Sequence, residues 1–271
     1  MTQIATTAEI HPTARLGHGV IVGEHAQIGA GCRLDAYAIV GPYTQLGTHN
    51  HLYSFAVIGG AAQDHRTDPD APHRLICGQG NIFREGVTVS RGSEHGGGVT
   101  EIGNDNLLMA HAHIGHDVRM GHHNTLSNGV SVAGHVNIGN RTVLSGHCAV
   151  HQFVRIGELA FLAANAMVSR DVPPFCSASG DRAKLYGLNR VGLRRAGLSV
   201  ATRQRLHAVY RQLFISERRN WRCLAQALVE DQDPHIAHLA AFCLGTERGL
   251  LASIRNGDAV DRPMAEAVDT D

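Results

Sequence analysis

Lysine is almost missing from this chain of 271 residues: Lys184 is the only one, and arginine supplies the rest of the 24 basic residues. We read that as a compositional bias rather than a functional signal. The 24 acidic residues balance the basic ones, so the formal net charge is zero. That balance gives no support for the basic stripe of a nucleic-acid binder. Cysteine spacing of the C-x-x-C kind is also missing. Cys32, Cys77, Cys148, Cys176, Cys223 and Cys243 are scattered, which suits reduced structural thiols and a cytoplasmic protein. No run is long and apolar enough to span a bilayer. The N-terminus is polar and enters a repeat at once, so no signal peptide is expected.

What the chain does have is a six-residue beat. An aliphatic residue recurs at every sixth place from Ile4 to Ile58, and again from Ile102 to Val168, counting Met120 among them. Glycine often follows the beat residue, as at Gly17, Gly115 and Gly157. A small or β-branched residue often stands four places after it, as at Ala26, Cys32 and Val118. A short fixed period of this kind is the mark of a β-solenoid. Six residues make one short strand and one turn, and three such units close a triangular coil. Coils then stack at the strand spacing of about 4.8 Å. The beat residue points into the prism, and the small residue fits the corner. Glycine is natural at turn positions that need a positive φ.

Two polar excursions interrupt the beat, at 59–75 and at 90–99, and long loops inside regular architecture are often functional. Ile76 and Ile82 are expected to resume the beat after the first loop. Tandem proline at Pro173 and Pro174 ends the coils, because proline cannot continue a ladder. The solenoid is therefore assigned to 1–175. Helical spacing over 199–216, 220–230 and 234–255 assigns 176–255 to an α-helical C-terminal domain that covers the open end of the last coil. The tail 256–271 is expected to be disordered.

The 19 histidines are distributed unevenly. Ile114, Val132 and Val150 are eighteen residues apart and so stack in successive coils. Their neighbours must stack with them, which gathers His113, His116, Asp117, Gly134, His135, His151 and Gln152 at one edge of the prism. Turn positions are exposed, and the histidines at 11, 18, 25, 49, 122 and 123 need no other explanation. Three histidines from adjacent coils also suit a zinc site, as in the γ-class carbonic anhydrases that share this solenoid. His116 beside Asp117 equally suits a general base with a carboxylate partner. Position alone leaves both open.

At these residues the chain resembles the UDP-N-acetylglucosamine 3-O-acyltransferase family. The likeness rests on 105–117 (DNLLMAHAHIGHD), 133–135 (AGH), 149–153 (AVHQF), 170–174 (RDVPP) and 187–195 (GLNRVGLRR), with Gln63-Asp64 and the glycines at 96–98. It runs in order from residue 1 to about 255. The resemblance implies a left-handed parallel β-helix, although the general rule for parallel crossovers favours the opposite hand. It implies a cytoplasmic homotrimer that moves a (3R)-hydroxyacyl chain from acyl carrier protein to the 3-hydroxyl of UDP-N-acetylglucosamine, the first step of lipid A biosynthesis, with no cofactor and no metal.

Carried over residue by residue, the resemblance makes His116 the base, Asp117 its orienting partner, and the Gly134 N–H the oxyanion donor. His113 and His135 position the sugar, and Gln63, Asp64 and Arg66 contact sugar or acyl hydroxyl from the first loop. His151 and Gln152 line the nucleotide and acyl region. Asn189, Arg194 and Arg195 hold the nucleotide phosphates from a neighbouring subunit. Ala164 occupies the acyl-length position and implies a chain below the longest. Arg66 stands where the family commonly has lysine, and Val191 where some members are acidic. Arg203, Arg205, Arg211, Arg218, Arg219 and Arg222 on the C-terminal helices read either as a solvated face or as a docking patch for an acidic carrier protein. Two alternative activities stay open: N-acylation of a 3-amino UDP-sugar, and a γ-carbonic-anhydrase-like metal hydratase.

Overall fold

A computed structural model describes residues 1–216 and 220–254. The expected disordered tail at 256–271, and Arg218 and Arg219 of the expected docking patch, lie outside the described residues. Nearly every strand of the prism is only two residues long, and together they form three sheets of nine, eight and ten strands. The first sheet runs from Gln3–Ile4 to Met167–Val168, the second from Glu9–Ile10 to Arg155–Ile156, and the third from Arg15–Leu16 onward. Successive strands of the chain go to different sheets, and all pairing between coils is parallel. The result is a left-handed parallel β-helix with C-terminal helices.

Period two within each strand decides what is inside. Ile114 pairs with Val132, and Val132 with Val150, all essentially buried, while their neighbours His113, Ser131 and Ala149 face outward on the first sheet. The beat is corrected in one place. Ile76 pairs with Gln45 and Ile82 with His51, both on the outer side, while Cys77 pairs with Leu46 and Phe83 with Leu52 inside. A one-residue slip exchanges the two faces of a strand. The first loop therefore adds thirteen residues to a coil, since Leu46 to Cys77 spans thirty-one instead of eighteen. The second adds seven, since Cys77 to Ile102 spans twenty-five.

Glycine after the beat residue answers a packing need rather than a turn need. Gly115 is not left-handed, but a Cβ on it would lie 2.7 Å from the Gly134 nitrogen of the next coil. The left-handed corner is two residues further on, and there the chain carries His25, Asp117 and His135 with φ of 54°, 59° and 61°. Asp and His tolerate that region better than most non-glycine residues.

One corner is held by a polar ladder inside the prism. Asn50, Asn81, Asn106 and Asn124 are buried, one per coil. Each side-chain oxygen accepts the backbone N–H of the next rung, as Asn81 Oδ1 does from Asn106 N at 3.0 Å and Asn106 Oδ1 from Asn124 N at 2.9 Å. Thr142 ends the series.

The last coil continues into an antiparallel hairpin, Cys176–Ser179 with Lys184–Leu188. Four helices follow: α1 (Arg190–Arg195), α2 (Val200–Tyr210, extended by a wider turn to Ile215), α3 (Trp221–Leu228) and α4 (Pro234–Leu244). Helix α4 thus ends well before 255. Leu206, Ile236 and Leu239 pack with Leu159 and Phe175 of the last coils in a second core. Residues 245–254 form a non-helical strap bound to the coil end by Asp171, which is 1% exposed. Asp171 Oδ2 accepts from Thr246 Oγ1 at 2.8 Å, and its backbone pairs with Gly249 and Leu251.

A core of stacked single side chains has no slack at any rung. Leu126→Ala should therefore cost about 2–5 kcal/mol, since Leu126 is fully buried between Leu108 and Leu144. Denaturant unfolding checks this, and a change below about 1 kcal/mol would contradict the stacked core.

Candidate active site

Coil stacking brings His116, Asp117 and His135 together, as the spacing predicts. His116 Nδ1 lies 2.7 Å from Asp117 Oδ2. Asp117 is almost wholly enclosed, with a side chain 1% exposed. Both of its oxygens accept from the second loop: Oδ1 from Ser93 N at 2.9 Å and Oδ2 from Ser93 Oγ at 2.5 Å. The Asp117 backbone N–H in turn donates to Thr100 Oγ1 at 2.8 Å. A buried carboxylate needs such donors to remain charged. The ring proton of His116 then sits on Nδ1, facing the carboxylate, and Nε2 keeps its lone pair for a substrate.

The second loop is what makes Asp117 buried. A Cβ on Gly96 would collide with the Asp117 carboxyl group, so only glycine lets this loop close on it. Gly97 and Gly98 turn the chain back with φ of 92° and 77°. Ser93 escaped the reading of the sequence. Its signal was the unusual glycine run three residues downstream, but nothing in the spacing of the coils says which loop residue reaches inward.

Arg91 ties the two loops together. It is 4% exposed, and its guanidinium donates to the Pro69 carbonyl at 3.0 Å and, at the limit of a hydrogen bond, to that of His73. Burial pushes its pKa down. Glu94 adds a hydrogen bond from the Asp68 N–H and a contact with His73 at 3.1 Å. The first loop carries Asp64 and Arg66, whose side chains pair at 2.6 Å. The Arg66 guanidinium holds the Asp64 carboxyl well below the usual carboxylate range, with a small further pull from His116. Gln63 is exposed on the same loop.

His135 packs edge-on to His116, with ring centroids 5.0 Å apart, and stacks on Phe153 at 4.5 Å. Burial pushes its pKa down, against the pull of Asp117. His113 is held by Thr88 Oγ1 at 2.7 Å, and burial pushes its pKa down as well, aided by His116. Both flanking rings thus favour the neutral form. Gly134 stands directly over the base: a Cβ there would lie 2.7 Å from His116 Cε1. Its N–H donates to no acceptor among the described residues. His151 and Gln152 are exposed at the same corner, one coil further on.

His116, Asp117 and His135 offer ligand atoms within 4.8 Å of one another, a spacing that a metal ion would accept. The donor chemistry argues otherwise. Ser93 and the imidazole already take three of the roughly four acceptor sites of the Asp117 carboxylate, and His116 Nδ1 is turned to that carboxylate.

Other expected residues fall elsewhere. Asn189 caps α1: its side chain accepts from Gly192 N at 2.9 Å and donates to the Leu159 carbonyl at 2.9 Å. Arg194 and Arg195 are exposed on α1. Ala164 is exposed at the corner between the third and first sheets, with the width of the first face between it and the His116 corner. In the arginine patch, Arg205 is engaged by Asp231 at 3.0 Å and faces Asp233 at 3.8 Å, so its charge is already balanced.

The chain is similar to known proteins over most of its length. Residues 171–251 match the family model described as UDP N-acetylglucosamine O-acyltransferase, domain 2. The acyl-[acyl-carrier-protein]–UDP-N-acetylglucosamine O-acyltransferase of Anaeromyxobacter sp. (strain Fw109-5) is 41% identical over 180 residues, covering 66% of this chain and 70% of that protein. The crystal structure of UDP-N-acetylglucosamine O-acyltransferase from Moraxella catarrhalis RH4 is 38% identical, with a TM-score of 0.88 over 92% of this chain and 97% of that one. The Francisella novicida UDP-N-acetylglucosamine acyltransferase is 28% identical, with a TM-score of 0.84 over 99% and 100%. With a buried imidazole–carboxylate pair on the same solenoid and relatives matched over most of their length, the chain belongs to the UDP-N-acetylglucosamine O-acyltransferase family.

Proposed function

We propose that the protein transfers a (3R)-hydroxyacyl chain from acyl carrier protein to the 3-hydroxyl of UDP-N-acetylglucosamine, the first step of lipid A biosynthesis. The observation that carries this reading is the chain of bonds from Ser93 through Asp117 to His116 Nδ1, which leaves Nε2 as a base. Nε2 takes the proton of the sugar hydroxyl as its oxygen attacks the thioester carbonyl. A carbon–oxygen bond forms and the carbonyl electron pair moves onto oxygen. The unspent Gly134 N–H meets that oxyanion, a contact worth about 3 kcal/mol. Collapse of the intermediate breaks the carbon–sulfur bond, and the imidazolium returns its proton to the leaving thiolate. Asp117 stabilises the imidazolium between these steps. His113 and His135, both favouring the neutral form, orient the sugar by hydrogen bonds without competing for the proton.

The names of the relatives support an oxygen acceptor over a 3-amino sugar, and an acyltransferase over a hydratase. The free thiols of all six cysteines suit the cytoplasm.

The assembly proposed is a homotrimer. Apolar side chains are exposed along the first face and its corner: Ile21 at 38%, Tyr37 at 48% and Phe55 at 63%. Tyr37 and Phe55 stack on each other at 5.5 Å and present one aromatic surface. Three-fold packing buries such a strip in every copy and lets a neighbour close each site. Sedimentation equilibrium should return three chain masses, and Phe55→Glu should lower that number. A monomeric wild type that is fully active would contradict the assembly.

The activity test is acyl transfer from (3R)-hydroxyacyl carrier protein to UDP-N-acetylglucosamine. His116→Ala should lower kcat by about 10²–10⁴-fold. Ser93→Ala removes one bond to the buried carboxylate and should lower kcat by about tenfold, with KM little changed. Wild type without turnover on these substrates would overturn the proposal, and full activity in His116→Ala would overturn the base.

A further inference from the structure

Two contacts of one histidine demand opposite protonation states. His151 Nδ1 lies 3.2 Å from Arg248 Nη2 and 3.2 Å from the Gln152 carbonyl oxygen. A guanidinium only donates and a carbonyl only accepts. With Arg248 as partner, Nδ1 must carry the lone pair and the neutral ring holds its proton on Nε2. With the Gln152 carbonyl as partner, Nδ1 must carry the proton and Nε2 becomes an acceptor. The ring cannot satisfy both at once.

Arg248 comes from far away in the sequence, ninety-seven residues from His151. It reaches the ring because the strap 245–254 is fixed to the end of the solenoid. Thr246 is bonded to the buried Asp171, Gly249 and Leu251 pair with the Asp171 backbone, and Arg248 Nε donates to the Ser169 carbonyl at 3.3 Å. The guanidinium is therefore held against His151 rather than left to wander.

We propose that Arg248 is a positioning residue that sets the tautomer of His151. Its permanent charge makes the donated bond the stronger of the two, so Nδ1 is unprotonated and Nε2–H is presented at the active-site corner as a donor. A donor there suits an acceptor group of the nucleotide-sugar, whose diphosphate offers only acceptors. An Nε2 acceptor would repel the same group. The tautomer follows from the contacts and the charge of Arg248; its use in binding rests on the proposed function.

The test separates these two parts. At pH 8, where imidazoles are neutral, long-range proton–nitrogen NMR of the free protein reads which nitrogen of His151 carries the proton, with His151→Gln assigning the signals. Wild type should show the proton on Nε2, Arg248→Met should move it to Nδ1, and Arg248→Lys, which still donates, should keep it on Nε2. Arg248→Met should also raise KM for UDP-N-acetylglucosamine about tenfold, with kcat within about twofold. In His151→Gln the same arginine change should add little. A wild-type ring protonated on Nδ1, or an Arg248→Met ring still protonated on Nε2, would overturn the proposal. A tautomer that moves without any change in KM would overturn its use in substrate binding while leaving the tautomer assignment intact.

Discussion

The backbone ladder between coils is the constraint on which everything else rests. Each two-residue strand is too short to hold itself, and gains its place only by pairing with the coil below and the coil above. Parallel in-register pairing then converts a separation of eighteen residues into a separation of about 4.8 Å. Interior residues become columns, of which Ile114, Val132 and Val150 form one and the asparagines at 50, 81, 106 and 124 another. Corner residues become columns too, and the candidate site is a stretch of such a corner where His116, Gly134 and Gln152 succeed one another. The fold supplies the precision that the chemistry needs, since a column cannot shift at one rung without disturbing its neighbours.

The two loops add what the prism cannot. A bare corner would leave Asp117 in water, where its influence on His116 would be weak. The second loop excludes water from it and replaces that water with Ser93, and glycine at 96 is the condition for so close an approach. Arg91 then couples this loop to the first, so that the Asp64–Arg66 pair is placed relative to the same carboxylate. The strap at the C-terminus acts on the other side of the corner through Arg248. Three separated segments of the chain thus converge on one column of the solenoid.

The repeat made much of this legible before any coordinates. A strict period specifies which residues stack, and His113, His116, Asp117 and His135 follow from arithmetic on that period. The register after the first loop was not legible, because Leu75, Ile76 and Cys77 are all apolar and either phase satisfies the pattern. The reach of Ser93 and Arg248 was not legible either, since loops and straps carry no period. Asn189 shows a different limit. Its residue type and place in the GLN motif fit a phosphate contact, and nothing in the motif said that the same asparagine also caps a helix. The span of α4 was overestimated because Leu250 and Leu251 continue an apolar pattern that the strap uses for pairing with Asp171.

The central claim is that a buried, charged Asp117 makes His116 a base. The most direct measurement is the rate of acyl transfer by Asp117→Asn across the pH range, beside wild type. The account predicts that kcat falls by about 10²-fold or more, while KM for the sugar nucleotide and the circular dichroism spectrum stay near wild type. An asparagine variant with wild-type kcat would contradict the account, because it would show that His116 works without the carboxylate that the whole corner is built to hold.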